Sequence, residues 1–119
     1  VVWLDLHEAL AWVVTVANAV VGCWALAAHR AENLRNRALW WATGVAQAMI
    51  AVQIVLGVVA MGATGIRAGD LHMFYGFVML ATVGIVYSYR HQLEPHRYLL
   101  YGFGGLFLMG LGLRAIFLG

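Results

Sequence analysis

Polar and charged residues are confined to a few short stretches, and between them lie runs with no charge at all. Ala9–Ala28 is 20 residues long, Ala38–Ile66 is 29, Met73–Tyr89 is 17 and Tyr98–Leu113 is 16. A helix crossing the hydrocarbon core of a bilayer needs about 20 mostly apolar residues. The two shorter runs reach that length when Asp70–His72 and Arg90 serve as helix ends, and apolar residues continue past Arg114. The runs do not alternate with period two, which excludes the strands of a membrane barrel. The pattern predicts an all-α fold, a transmembrane four-helix bundle of up-down-up-down topology, in a single domain spanning 1–119.

Composition narrows the class. Of 119 residues, 64% are apolar and 10% charged, against about half and about a quarter in soluble domains. So short a chain cannot hide that excess inside itself. A soluble domain, a disordered chain and a nucleic-acid binder are excluded, which leaves an integral membrane protein in contact with lipid. The single cysteine, Cys23, excludes a disulfide framework and any multi-cysteine metal or iron–sulfur site; lying mid-helix, it is expected to be buried and inert. There is no lysine, so Schiff-base and P-loop chemistry are absent.

Charge then sets an orientation. Arg30, Arg35 and Arg37 fall in the first loop and Arg90 and Arg97 in the third, whereas the second loop holds Arg67 alone and the last helix Arg114. Basic loops stay in the cytoplasm. Both termini are therefore expected outside, with the chain in a bacterial inner (plasma) membrane. Trp40, Trp41, Tyr87, Tyr89, Tyr98 and Tyr101 form an aromatic belt at the arginine-rich side. No Asp or Glu lies within a span, which excludes a proton-coupled exporter of cationic compounds.

The chain also repeats itself. Asp5-Leu6-His7 opens the first helix and Asp70-Leu71-His72 the third, each followed four residues after the histidine by a small residue, Ala11 or Gly76. The unit is a helical hairpin, about 1–65 and again about 66–119, used twice in parallel orientation. Parallel repeats are related by an axis along the membrane normal, which sets His7 and His72 at one depth. In an antiparallel bundle their helices are diagonal and face each other across the core. Ionisable groups inside a bundle face inward and mark function by default. Two imidazoles at one depth are what a six-coordinate haem iron requires, and Ala11 and Gly76, on the same helix faces, leave room for a flat macrocycle. Asn18, eleven residues past His7, is expected at the deeper end of such a pocket, Gln53 beside it, and Arg67 and Arg114 near the haem propionates. Asp5 and Asp70 suit the positive ends of their helix dipoles. His29, His91 and His96 fall at the opposite end, where interfacial loop histidines are the default. The glycines of the fourth helix, Gly102 to Gly112, read as a close-packing surface.

His7, then Gln53-Ile54-Val55-Leu56-Gly57 in the next helix, then His72 opening the third, resembles one four-helix half of haem A synthase. The resemblance covers nearly the whole chain on short motifs. It implies His7 and His72 as axial ligands of one haem b. That family's glutamate three residues before a ligand histidine falls on Leu4 here and its arginine after it on Glu8, so the synthase reaction is not implied. The resulting expectation is a b-type cytochrome-like protein for one-electron transfer in a respiratory or photosynthetic chain, an electron carrier or subunit rather than a stand-alone enzyme. It would work within a larger membrane complex or as a homodimer. An accessory transmembrane subunit without catalysis is the alternative, and a haem-handling relative of haem A synthase the third reading.

Overall fold

The computed structural model describes residues 2–118. Four helices run Val2–Arg30 (α1), Arg37–Thr64 (α2), Asp70–Ser88 (α3) and Arg97–Leu118 (α4), with single 3-10 turns at Glu32–Leu34 and Glu94–His96. All four helices are long and apolar enough to cross a membrane, α4 together with the turn before it. The chain is an integral membrane protein of the expected all-α class.

The helix ends follow from local chemistry. The Arg35 guanidinium closes α1, donating from Nε to the Ala28 carbonyl at 2.7 Å and from Nη2 to the His29 carbonyl at 2.8 Å. Those carbonyls have no partner within the helix. Asn36 caps α2, its Oδ1 accepting from the Leu39 N–H at 3.1 Å. Gly65 ends α2 in the left-handed region at φ 72°, its N–H returning to the Met61 carbonyl at 2.9 Å; a side chain there would be strained. At about 1.5 Å per residue, the 29 residues of α1 exceed the roughly 30 Å hydrocarbon core. The helix is therefore longer than that core, with Asp5 and Glu8 toward one end and His29 and Arg30 at the other.

α1 is the hub. It packs most extensively along α4 and then along α2; α3 packs on α4 and meets α2 only sparsely. Neighbours around the bundle are thus α2, α1, α4 and α3, with α1 diagonal to α3 and the ring loosest between α2 and α3. The two sequence hairpins pack unequally, since nothing between α2 and α3 matches the α1–α4 seam.

Glycine makes that seam. A Cβ on Gly105 would stand 2.8 Å from the Gly22 Cα and 2.9 Å from the Asn18 carbonyl oxygen, and one on Gly22 would stand 2.9 Å from the Leu106 nitrogen. Backbone cannot yield as a side chain can, so these positions admit only hydrogen. Lipid is as apolar as leucine, so helices in a bilayer associate through close packing of this kind. Of the α4 glycines expected to serve close packing, Gly102, Gly105 and Gly112 meet α1 and Gly104 meets Val86 of α3, whereas a Cβ on Gly110 would meet nothing within 4 Å. A core of Val14, Ile50, Met79, Leu108 and Leu111 fills the middle, and Ala25, Ala28, Leu39 and Tyr98 close the arginine-rich end. Cys23 differs from expectation: it is exposed on the outer surface of α1. Lipid accepts a thiol on the outside as readily as a core does, so position mid-span does not decide burial.

Candidate functional site

His7 stands in the second turn of α1 and His72 in the first turn of α3, at the end of the bundle opposite the arginine-rich loops. Their rings face each other across the diagonal, centroids 6.0 Å apart and planes inclined at 67°. Both residues are half-buried. The two histidines of the repeated Asp-Leu-His are thus brought face to face.

The two rings are held differently. Nδ1 of His72 lies 2.8 Å from the Ala115 carbonyl oxygen on α4. A carbonyl only accepts, so Nδ1 carries the proton, and in the neutral ring Nε2 keeps its lone pair. A backbone partner on one nitrogen that frees the other is how ligand histidines are oriented. His7 has no such partner: its Nδ1 is buried and unpaired. Its ring instead lies against α2 at Gly57, where a Cβ would stand 2.9 Å from the imidazole Cε1. One turn earlier on the same face, Gln53 donates from Nε2 to the His7 main-chain carbonyl at 2.7 Å. Gln53 and Gly57 therefore act together, one fixing the backbone of His7 and the other giving its ring space.

The spacing has a chemical meaning. A metal bonded to one nitrogen of each ring at about 2 Å separates the centroids by roughly 6 Å. Among the described residues, no three His, Cys, Asp or Glu side chains converge on one point. The two imidazoles therefore face each other with no third such side chain beside them.

The other expected site residues divide. Gly76 is half-buried and a Cβ there would meet nothing within 4 Å, so the face of α3 one turn past His72 is open. Ala11 is half-buried one turn past His7. Gln53 touches His7 as described. Arg114 is exposed on α4 beside Ala115, and so at the depth of His72. Arg67 is exposed and turned toward Asp70, Nη2 to Oδ1 at 4.0 Å. Asn18 does not join the group. It lies eleven residues, about 16 Å along the helix axis, from His7, and its Nδ2 donates to the Val14 carbonyl at 2.9 Å and the Ala46 carbonyl at 3.3 Å, tying α1 to α2. Two participants were not anticipated in their roles, Gly57 against the His7 ring and the Ala115 carbonyl on His72.

No protein-family model matches the chain, and no curated protein or solved structure is significantly similar to it.

Proposed function

We propose that this four-helix membrane protein binds one haem b between His7 and His72 and serves as a one-electron carrier, with both termini and the haem on the outer side of the membrane. The observation that carries the reading is the facing pair itself, with the His72 tautomer set by Ala115 so that Nε2 is free. When bound, the haem supplies a one-electron iron couple. The chain's own residues do the rest. His72 is oriented before any ligand arrives, because Ala115 belongs to a packed helix. His7 is placed through its backbone by Gln53 and admitted against α2 by Gly57. Both histidines would hold the group from the protein side, and the chemistry it would supply is one-electron transfer. The open face at Gly76 gives a planar group space, and exposed Arg114 offers a guanidinium to carboxylates at that depth.

The test is a reduced-minus-oxidised visible spectrum of the purified protein with a pyridine haemochrome assay. A sharp α-band and about one haem b per chain are expected for two axial histidines. A colourless protein that takes up no added haemin overturns the proposal, and the two rings are then an edge-to-face packing contact.

A further inference from the structure

The arginine-rich end of the bundle holds a second site, independent of the histidine pair. A cleft of about 440 Å³ opens there between the end of α1, the segment before α2 and the start of α4, lined by His29, Arg35, Glu94, Pro95, Arg97 and Tyr98. Its volume falls within the range of roughly 300–1,000 Å³ usual for small-ligand pockets. Tyr98, only 8% exposed, is the fixed centre. The Arg35 guanidinium carbon lies 4.9 Å from its ring centroid and that of Arg97 5.1 Å. Both arginines are braced: Arg35 by the two carbonyls that end α1, and Arg97 by the Tyr98 hydroxyl at 3.3 Å and the Trp40 ring at 5.4 Å.

Neither charge is neutralised. Among the described residues, no carboxylate forms an ion pair with Arg35 or Arg97; the Arg67–Asp70 pair belongs to the opposite end. Glu94 lines the same cleft, three residues before Arg97, yet makes no ion pair with it. Two guanidiniums against one carboxylate leave a net positive cleft, with His29 at its wall. Helix ends here meet the headgroup layer, and basic pockets between helix ends at a membrane face bind anionic headgroups. Guanidinium forks match phosphate oxygens in pairs.

We propose that this cleft binds a phosphate group, through Arg35 and Arg97, as carried by an anionic phospholipid headgroup or by free phosphate. Glu94 weakens the site and sets it to discriminate by charge.

The experiment embeds the full chain in nanodiscs of phosphatidylcholine doped with phosphatidylglycerol and counts retained lipids by native mass spectrometry. Inorganic phosphate is titrated separately in neutral detergent while the emission of Trp40, next to Arg97, is followed. One phosphatidylglycerol retained in preference to phosphatidylcholine, with retention falling about tenfold or more in Arg97→Gln as a charged hydrogen bond is lost, supports the lipid. Saturable phosphate binding with the same loss, but no lipid preference, supports the site with free phosphate as its ligand. Glu94→Gln, at an exposed position that braces nothing, tightens either ligand by up to about fivefold and serves as the readout should Arg97→Gln fail to fold. Absence of both preferences, or preferences that neither substitution moves, overturns the proposal.

Discussion

His7 and His72 occupy equivalent places in two copies of one sequence unit, yet the fold treats them differently. His72 is held through its ring, by a carbonyl of α4, while its backbone simply begins a helix. His7 is held through its backbone, by Gln53 of α2, while its ring nitrogen Nδ1 has no partner. The repeated Asp-Leu-His sets depth and direction; the tautomer comes from whichever helix happens to lie alongside. Two copies of Asp-Leu-His thus place two facing rings in unlike surroundings, one tied by a hydrogen bond and one by packing alone.

Substitutions can break that comparison at graded cost. The largest effect is expected from replacing either ring: His7→Ala and His72→Ala should each abolish a low-spin haem spectrum, and a variant with an unchanged spectrum would remove that residue from the ligand set. They should separate in the cofactor-free protein, where only His72→Ala cuts a tie between α3 and α4. Next comes Gly57→Val, which drives a side chain into the His7 imidazole. It should cost about 1–3 kcal/mol in detergent unfolding and displace His7 alone. Gln53→Leu follows, removing one interhelical bond worth about 0.6 kcal/mol on average in membrane bundles; its haem affinity should fall more than its stability, because the tie that seats α1 against α2 at His7 is lost. The smallest change is Gly76→Ala, in open space, which should leave stability unchanged or raise it by up to about 1 kcal/mol. Gly76→Phe at the same position should then lose haem while still folding. Equal behaviour of Gly57 and Gly76 variants in thermal melts would show that the two sides of the pair are not as different as their contacts.

The spans were legible because charges are costly in hydrocarbon, so charge-free runs read directly as helices. The histidine pair was legible because the motif recurs at a spacing that returns the chain to the same membrane face. What lay beyond reach has a physical cause in each case. Ala115 acts through its carbonyl, an atom every residue carries. Gly57 matters through absence of a Cβ, and only its position one turn past Gln53 hinted that both face His7. Cys23 could not be placed, because a membrane helix is apolar on all sides and its sequence carries little sign of which face is buried. Asn18 shares a helix face with His7, but its amide nitrogen is engaged by the Val14 and Ala46 carbonyls, the latter a contact set by how α2 crosses α1.

The α1–α4 seam also orders events during synthesis. The helix that emerges first has its closest partner in the helix that emerges last of the four, so Gly22 must wait for Gly102 and Gly105. His72 waits too, since the carbonyl that fixes its proton lies on α4. At about 5–20 residues per second, several seconds pass in which both histidines are in the membrane and the histidine that will be rigid is still free to turn. The facing pair thus takes its final form only once α4 has entered the membrane and docked.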